Sequence, residues 1–353
     1  MSMQYLQALS EAVGVSGEED EVRKIVIDAI KDHVDQWHVD AMGSVIAYKN
    51  SASKSDFTML FTAHMDEIGL MVSGFESDGL IRFAKVGGID DRILPALRVR
   101  IGKQGIPGVI LWKPIHLGNS QSVVSSNDLR IDIGYSKKES VQGKVKRGDR
   151  IVFDSEYSEL SETVVRGKAF DDRVGCSLLI DLLQSDAFPV NVVAAFTVQE
   201  EIGLRGAKVL NERVKPSAAI ALEGTTAHDV PDPMRDPDLD YQVPSGCILG
   251  QGPALTIMDR SMIADKGLLD FIRSVGDSDG IPYQLKTVLG GGTDAGSLHT
   301  SAGGLPSGVI SIPCRYIHSP RALLNRKDYE AALALCKALL KRIDYDQIRG
   351  EKA

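Results

Sequence analysis

The sequence predicts an α/β fold into which a small all-β domain is inserted. Apolar runs rich in β-branched residues, of which 193–198 is the clearest, alternate with helical patterns, and such runs are typical of strands buried in a parallel sheet. Between residues 70 and 165 this alternation gives way to short β-like runs separated by turns. The length of 353 residues suits two domains better than one.

The first part of the chain predicts a helix, a hairpin and a buried strand. Ser16 and Glu19 form a capping-box pattern, and apolar residues at helical spacing follow over residues 22–34. Two β-like runs joined by a turn that contains glycine predict a hairpin over residues 38–48. The apolar run 57–63 then predicts a strand of the core.

The middle of the chain predicts a β-barrel. Its β-like runs, which are separated by glycine and proline, are 70–74, 80–86, 97–101, 108–112, 129–133 and 150–154. Many short strands in one small domain favour a closed barrel, because closure removes exposed sheet edges. We therefore assign residues 1–69 and 166–353 to the α/β domain and residues 70–165 to the inserted barrel.

The remainder of the chain alternates again between helical and strand patterns. Helices are predicted at 176–183, 206–214, 268–275 and 325–343, the last of them capped by Asn325. Strands are predicted at 193–198, 217–222, 283–288 and 308–313. This alternation is the pattern expected of an α/β domain.

Composition and charge exclude several classes of protein. Apolar residues make up 43% and charged residues 25% of the chain, as in ordinary globular proteins. The net charge of -8 argues against binding to nucleic acid or anionic lipid. We expect neither a membrane span nor a secretion signal. The cysteines are scattered without a Cys-x-x-Cys pair, which indicates reduced, buried thiols and a cytoplasmic protein; they are Cys176, Cys247, Cys314 and Cys336.

Five apolar segments end in residues that can bind a metal ion. These endings are His64 with Asp66, Asp171, Glu200 with Glu201, Glu223 and His318. Ligands of open α/β sheets lie beyond the carboxyl ends of the strands. Alternation along an extended chain places His64 and Asp66 on one side, so that Asp66 can hold one imidazole nitrogen while the other meets a metal. Adjacent Glu200 and Glu201 point to opposite sides and can serve different roles.

Single endings also have plain structural explanations. Glu200 and Glu201 can begin a solvated loop, and Asp171 and Asp172 can cap the following helix. Five endings of one kind indicate a shared site instead. Two imidazoles and at least three carboxylates suit a pair of Zn²⁺ or Co²⁺ ions. With Asp171, Glu201 and Glu223 balancing the charge of the ions together with a bridging hydroxide, Glu200 remains free to accept a proton.

Five motifs resemble the M42 family of dinuclear metallo-aminopeptidases, the glutamyl-, leucyl- and lysyl-aminopeptidases that form tetrahedral assemblies. The motifs are Ala-His-Met-Asp-Glu at 63–67, Lys-Ala-Phe-Asp-Asp-Arg at 168–173, Glu-Glu-Ile-Gly-Leu-Arg-Gly at 200–206, Gly-Gly-Thr-Asp at 291–294 and Arg-Tyr-Ile-His-Ser-Pro at 315–320. The resemblance runs from the first helix to the last. It implies a mixed, zinc-peptidase-like central sheet flanked by helices.

The resemblance also implies a role for each site residue. The implied metal ligands are His64 and Glu223 for the first ion, Glu201 and His318 for the second, and Asp171 as the bridge. Glu200 is implied as the general base and Asp66 as the residue that orients His64, and a cis peptide is implied after Asp171. Glu223 stands where several relatives have aspartate. The glycine-rich stretch predicts close approach to substrate, and its candidate residues are Gly291, Gly292, Thr293 and Asp294.

These features together predict a metal-dependent aminopeptidase that hydrolyses the first residue from peptides. Two Zn or Co ions per subunit would bind the carbonyl and the free α-amino group, while Glu200 takes a proton from the bridging water. The resemblance implies that the insert serves homo-oligomerisation, through dimers that build a dodecamer. The acidic loop 228–236 would favour a basic first residue.

Three other functions remain open from sequence. A deacylase or dipeptidase can use the same metal pair. An endoglucanase, a label that some family members have carried, needs two carboxylates about 5–10 Å apart around a sugar bond and gives no role to His64 and His318. A non-catalytic scaffold would have lost metal ligands, whereas this sequence retains the whole set.

Overall fold

The chain forms one large mixed sheet with helices packed on it and a separate closed barrel. The computed structural model describes residues 3–117, 122–210, 214–230, 246–287, 290–301 and 303–349, and all structural statements concern these residues. The sheet, its helices and the barrel confirm the predicted fold class.

The strands follow the predicted runs closely and add several short ones. In chain order they are β1 (Gln36–Val39), β2 (Val45–Lys49), β3 (Thr58–His64), β4 (Gly69–Phe75), β5 (Ile81–Val86), β6 (Arg98–Ile101), β7 (Ile106–Ile110), β8 (Ile131–Asp132), β9 (Arg150–Phe153), β10 (Ser158–Glu159), β11 (Val164–Gly167), β12 (Asn191–Thr197), β13 (Ala218–Thr226), β14 (Ala254–Thr256), β15 (Gln284–Lys286), β16 (Ser307–Arg315) and β17 (Ala322–Asn325). The end of the predicted strand 283–288 lies partly outside the described residues.

The helices include the predicted ones and short helices at both ends of the chain, and the end of the predicted helix 206–214 lies partly outside the described residues. They are α1 (Leu6–Glu11), α2 (Asp20–Ile30), α3 (Lys138–Gln142), α4 (Phe170–Leu183), α5 (Arg205–Leu210), α6 (Lys266–Asp279), α7 (Asp294–Leu298), α8 (Arg326–Leu340) and α9 (Tyr345–Arg349). The carboxamide oxygen of Asn325 accepts a hydrogen bond from the Lys327 N–H, which confirms the predicted cap of α8.

The middle of the large sheet is parallel, and its margins are antiparallel. β12 pairs with β3, β3 with β13, and β13 with β16, all in parallel. The order across the sheet is β1-β2-β12-β3-β13-β16-β17-β11-β10, and β14 and β15 branch from β16. Because the four central strands are parallel, their carboxyl ends meet at one edge of the sheet. We call this edge the carboxyl edge.

Apolar side chains cover both faces of the central strands. On one face Phe61 and Phe196 pack in the main core with the almost wholly buried helix α4. On the other face Leu60 and Val193 form a smaller cluster with Leu298 of α7. Burial on both faces explains why these strands appear as continuous apolar runs in the sequence, without an alternation of apolar and polar residues.

The predicted barrel closes through six antiparallel strands in the order β4-β5-β8-β7-β6-β9. Its own apolar core includes Leu70, Ile81, Ile101 and Ile131, which are buried. After β9 the chain returns to the large sheet at β10, which pairs with β11. The division of the chain into domains at residues 69 and 165 stays a prediction.

The capping box predicted before the first long helix is wrong. The Ser16 hydroxyl donates to Asp66 Oδ2 at 2.6 Å, and the Glu19 carboxylate accepts from the Gly17 N–H at 2.7 Å, so neither residue caps α2. A second difference concerns β13, which was predicted to stop before Glu223. It continues to Thr226 because it remains paired with β16 from Ala219 to Thr226.

The cysteine thiols agree with the compositional analysis. All four cysteines are free and buried, as predicted. In the described part of the chain, no helix combines the length and the apolar character that crossing a membrane requires.

Candidate metal centre

The carboxyl edge of the large sheet gathers the predicted site residues. His64 is the last residue of β3 and lies beside Thr197, the last residue of β12. Glu200 and Glu201 follow in the turn after β12. The parallel pairing of β3 with β13 aligns Ala221 with Thr62, and two residues farther along each strand Glu223 and His64 lie close together. Four of the predicted residues are therefore positioned by the register of three neighbouring strands.

Asp171 and His318 reach the same edge from irregular backbone. Asp171 lies at the start of α4 with non-helical dihedral angles (φ -86, ψ 105), and its peptide bond to Asp172 is cis, as the resemblance implied. His318 follows β16 and has a left-handed backbone conformation (φ 56). Asp172 acts as a helix cap, since its Oδ1 accepts from the Gly175 N–H at 2.9 Å. The N-cap interpretation thus holds for Asp172, while Asp171 faces the site.

Asp171 lies between the two imidazoles. Its Oδ1 is 3.3 Å from His64 Nε2, and its Oδ2 is 3.1 Å from His318 Nε2. Each imidazole has a further carboxylate beside it: Glu223 Oε2 is 3.6 Å from His64 Nε2, and Glu201 Oε1 is 3.4 Å from His318 Nε2. The five side chains thus form two half-sites, a His64 half-site and a His318 half-site, which share Asp171.

Backbone carbonyl groups determine which imidazole nitrogen faces the carboxylates. His64 Nδ1 is 3.0 Å from the Asp66 carbonyl oxygen, and His318 Nδ1 is 2.8 Å from the Gly88 carbonyl oxygen. A carbonyl oxygen only accepts hydrogen bonds, so both Nδ1 atoms carry a proton. In the neutral rings Nε2 is then the atom with a free lone pair, and it faces the carboxylates in both half-sites.

Asp66 contacts the site through three partners. Its Oδ1 accepts from the Glu200 N–H at 2.9 Å and its Oδ2 from the Glu201 N–H at 3.2 Å, in addition to the Ser16 hydroxyl. Its Oδ1 is 3.5 Å from His64 Nδ1, farther than its own carbonyl oxygen. The Asp66 carboxylate therefore fixes the backbone of both glutamates, a contact that sequence reasoning missed.

Glu200 lies close to the His64 half-site but is not one of the five side chains that form the two half-sites. Its Oε2 is 3.9 Å from His64 Nε2. Within the described part of the chain, three groups of residues have ligand atoms within 4.8 Å of one another, and these groups are His64-Glu200-Glu223, His64-Asp171-Glu201 and Asp171-Asp172-Glu223. Distance alone therefore allows Glu200 to be a ligand as well as a base.

The buried, closely spaced carboxylates and imidazoles of the site have shifted pKa values. Burial raises the pKa of Glu223 well above its ordinary value, and the charge of Asp172 adds to this shift. Burial also raises the pKa of Glu201 to about 8, despite the opposing effect of His318. Burial lowers the pKa of His318, but Asp171 and Glu201 outweigh it and raise this pKa to about 10. Carboxylates buried so close together retain protons unless cations compensate their negative charge.

The residues fit a pair of divalent cations. Glu201 Oε1 is buried and has no hydrogen-bond partner among the described residues, an arrangement that is unfavourable unless a cation supplies the missing contact. Both imidazoles direct Nε2, the nitrogen that can bind a metal ion once it has lost its proton, toward carboxylates, and this mixture of nitrogen and oxygen ligands suits Zn²⁺ and its neighbours. The carboxylates also supply the negative charge that two divalent ions require.

A cavity of about 630 Å³ opens over the two half-sites. Three of the four predicted substrate-binding residues, Gly291, Gly292 and Thr293, line this cavity. The fourth, Asp294, is buried and accepts a hydrogen bond from the Thr197 hydroxyl. The rest of the wall includes residues that the sequence did not indicate, and they are Leu204, Thr225, Lys286 and Ile317.

A buried ion cluster lies among the motif residues. Lys168 Nζ donates to both oxygens of Glu67 at 2.7 and 2.8 Å, and Arg173 Nη2 donates to Glu67 Oε1 at 3.1 Å. All three side chains are 2% exposed or less. Lys168 also donates to the Ala12 carbonyl oxygen at 2.8 Å. The three charged residues lie within the quoted motifs, but no local pattern indicated that they pair.

The match to a family model decides the identity. The model described as M42 glutamyl aminopeptidase matches residues 43–335. The chain belongs to the M42 family. It is therefore an enzyme, a hydrolase with aminopeptidase activity, as the resemblance of its motifs indicated.

Similar proteins agree with membership of the M42 family. The lysyl aminopeptidase of Pyrococcus furiosus is 31% identical over 96% of this chain and 97% of its own length. An aminopeptidase structure from the archaeon Desulfurococcus kamchatkensis has a TM-score of 0.91 at 36% identity, over 99% of this chain and 97% of that chain. The TET1 peptidase of Pyrococcus horikoshii, which can assemble into a tetrahedron or a large octahedral shell, has a TM-score of 0.85 at 34% identity over 97% of this chain and 99% of that chain.

Proposed function

We propose that this M42 aminopeptidase hydrolyses the amino-terminal peptide bond with two divalent metal ions, Zn or Co, bound at the carboxyl edge. His64 and Glu223 would hold the first ion, Glu201 and His318 would hold the second, and Asp171 would be the ligand that the two ions share. The observation that carries this proposal is the position of Asp171, whose two oxygens face Nε2 of the two imidazoles at 3.3 and 3.1 Å. Bound ions supply Lewis acidity toward a carbonyl oxygen and lower the pKa of water.

Glu200 is the general base in this proposal. It is not needed by either half-site, and its Oε2 lies 3.9 Å from His64 Nε2 at the cavity wall. Its carboxylate accepts a proton from the attacking water and returns it to the leaving amine. The hydrogen bond from the Glu200 N–H to Asp66 Oδ1 holds the backbone of the base in place. Asp66 thus acts as a positioning residue for the base as well as for His64.

The glycine-rich wall binds the substrate backbone in this proposal. Gly291 has a left-handed conformation (φ 62), and a side chain added there would meet no atom within 4 Å, so its backbone faces open space. Gly292 and Thr293 continue this wall. Exposed backbone groups of glycine residues can approach a peptide closely. Asp294, held by Thr197, supports this wall from behind.

Removal and restoration of metal tests the proposed reaction. The full-length enzyme should lose hydrolysis of aminoacyl p-nitroanilides on treatment with a chelator and should regain it with Zn²⁺ or Co²⁺. Faster hydrolysis of N-acyl amino acids than of aminoacyl anilides would indicate a deacylase, and hydrolysis confined to dipeptides would indicate a dipeptidase. Release of sugar from cello-oligosaccharides that survives chelation would indicate an endoglucanase, and no turnover of any substrate would indicate a scaffold.

We further infer that the enzyme is a cytoplasmic homo-oligomer and that residues 70–165 form its assembly domain, giving dimers that build a dodecamer. Large apolar side chains are exposed in the segment after β7: Trp112 is 59%, Leu117 68% and Val123 59% exposed. Exposed apolar patches of this kind mark interaction surfaces. The assembly of the similar TET1 peptidase and the free buried cysteines support this inference. Native mass spectrometry should give a multiple of the subunit mass of 38.2 kDa, and a monomer would contradict it.

A further inference from the structure

A short turn lies behind the glycine-rich wall of the cavity. The turn comprises residues 259–262, and an antiparallel bridge between Met258 and Ile263 closes it. Met262 of this turn packs with Ala295 of α7 and with Val309 of β16. Because the turn contacts both the sheet and the helix that follows the wall, it can fix the wall relative to the sheet.

The carboxylate of Asp259 determines the conformation of this turn. Its Oδ1 accepts hydrogen bonds from the Ser261 N–H at 2.6 Å, from the Met262 N–H at 2.8 Å and from the Ser261 hydroxyl at 2.8 Å. An aspartate that accepts from the backbone two residues farther along is a common way of stabilising a turn. Asp259 is buried, so water competes little for these bonds. The hydroxyl of Ser261 therefore has a fixed direction.

The Ser261 hydroxyl also connects the turn to the wall. A hydroxyl that donates its proton can still accept through its oxygen, and Ser261 Oγ accepts from the Thr293 N–H at 3.4 Å. The neighbouring Arg260 N–H donates to the Gly291 carbonyl oxygen at 3.1 Å. Two adjacent residues of the turn thus hold both ends of the segment 291–293, which lines the cavity.

The glycines of the wall are of two kinds. A Cβ atom added at Gly290 or Gly291 would meet no atom within 4 Å, so these two residues face open space. A Cβ atom added at Gly292 would lie 2.9 Å from Ser261 Oγ, and one at Gly296 would overlap the Ser261 side chain. The absence of a side chain at Gly292 and Gly296 therefore gives Ser261 the space that it occupies.

We propose that Ser261 is a positioning residue that holds the substrate-binding wall, residues 291–293, at a fixed distance from the metal centre. This inference rests on the proposed function and deepens it. In the described part of the chain the cavity wall does not include Ser261, so Ser261 acts on the substrate only through the wall. The Thr197 hydroxyl holds the next residue, Asp294, and Thr197 lies beside His64. The wall is thus held on two sides, and Ser261 provides one of them.

Loss of the Ser261 hydroxyl should weaken substrate binding and leave the chemical step unchanged. With the metal-loaded full-length enzyme, Ser261→Ala should raise KM for a tripeptide by about 3–10-fold at unchanged kcat, because lost hydrogen bonds have effects of this size and the wall binds substrate and transition state alike. The tripeptide is X-Gly-Gly, where X is the residue that the wild type releases fastest as a p-nitroanilide. Asp259→Asn keeps the accepting oxygen and should retain the wild-type KM. Ser274→Ala, at an exposed position of α6, is the matched control and should also retain it.

A double-mutant cycle tests the contact between Ser261 and Gly296. Gly296→Ala should raise KM at least as much as Ser261→Ala, because the added methyl group overlaps the Ser261 side chain and displaces the wall. Ser261→Gly removes the overlapping atoms, and the next atom, the Cα of residue 261, lies 3.5 Å from the added Cβ. The double variant with Ser261→Gly and Gly296→Ala should therefore have the KM of Ser261→Gly alone.

Two results would overturn the proposal. An unchanged KM in Ser261→Ala, even with a lower free energy of unfolding in urea, would show that the turn supports the fold and does not position the wall. An equal effect of Gly296→Ala with and without Ser261→Gly would show that residue 296 is glycine for another reason. Both results leave a metal-dependent peptidase in place. Absence of metal-dependent turnover of any peptide by the wild type would instead refute the proposed function, and this inference with it.

Discussion

The carboxylate of Asp66 accepts a hydrogen bond from the backbone N–H of Glu200 at 2.9 Å. The same carboxylate accepts from the N–H of Glu201 and from the Ser16 hydroxyl, and it is fully buried. One side chain on the segment after β3 thus fixes the backbone of both the proposed base and a proposed metal ligand after β12. Because parallel β3 and β12 end side by side, this contact spans only the gap between neighbouring strands.

Removal of the Asp66 carboxylate should weaken both catalysis and metal binding. We expect Asp66→Ala to lower kcat/KM or metal affinity by about 10–100-fold, because outer partners of metal ligands have effects of this size. Ser16→Ala removes a single donor to the same carboxylate and should have a smaller effect. Steady-state kinetics and metal titration measure the two quantities. An Asp66→Ala enzyme with normal kcat/KM and normal metal affinity would show that the hydrogen bonds do not position the site.

The two adjacent glutamates should respond differently to the same isosteric change. We expect Glu200→Gln to retain both ions and to lose at least about 10²-fold in kcat, since a carboxamide cannot accept the proton of water. Glu201→Gln should instead lose metal from the His318 half-site. Metal analysis beside peptide turnover distinguishes the two. Near-normal turnover by Glu200→Gln contradicts the assignment of the base.

Loss of Glu67 should destabilise the fold. Glu67 is the shared partner of Lys168 and Arg173, and its removal leaves two buried cations without a counter-ion. We expect Glu67→Ala to lower the free energy of unfolding of the metal-free protein by about 3–5 kcal/mol. Glu76→Ala, which removes a part-exposed partner of Arg130, should lower it by about 1 kcal/mol or less. Equal effects in urea unfolding would contradict a structural role for the buried cluster.

The same cluster should make stability depend on pH. Burial lowers the pKa of Lys168 to about 8, although Glu67 opposes this shift, whereas an unfolded lysine has a pKa of about 10.4. Between these values the unfolded chain binds more protons than the folded one, so the contribution of Lys168 to the free energy of unfolding rises with pH. Below pH 8 Lys168 is charged in both states, and its burial is fully unfavourable.

A variant without the titrating group isolates this contribution. Urea unfolding of the wild type and of Lys168→Met between about pH 7.5 and pH 10 should show the difference in free energy moving in favour of the wild type as pH rises. Other groups titrate in both proteins and cancel in the difference. A difference that stays constant over this range would mean that Lys168 does not titrate there.

Local patterns predicted the fold and the residues of the site because both depend on the strands: apolar residues form them, and the site residues follow at their ends. Apolar runs identified β3, β12, β13 and β16, and the carboxyl ends of parallel strands meet at one edge. His64, Glu201 and Glu223 could thus be grouped before any coordinates were known. The short strands β10, β14 and β17 were not predicted, since two to four residues carry too little periodicity.

These local patterns could not predict contacts between segments that are distant in the sequence. Ser16 matches a capping box by residue type, yet its hydroxyl donates to Asp66, 50 positions away. Glu67 and Lys168 pair across 101 positions, and neither has a local partner that indicates it. Lys286 faces the cavity only because β15 pairs with β14, which joins the sheet beside β16. Such contacts depend on topology and not on spacing along the chain.

The number of metal ions bound per subunit tests the central claim most directly. Elemental analysis of the full-length protein, reconstituted with Zn²⁺ or Co²⁺ and freed of excess metal, should give two ions per subunit. His318→Ala should reduce this number to one, and Asp171→Ala should weaken both sites because both half-sites share that carboxylate. A wild-type protein that binds one ion or none, or an Asp171→Ala protein that binds two ions as tightly as the wild type, would contradict the account.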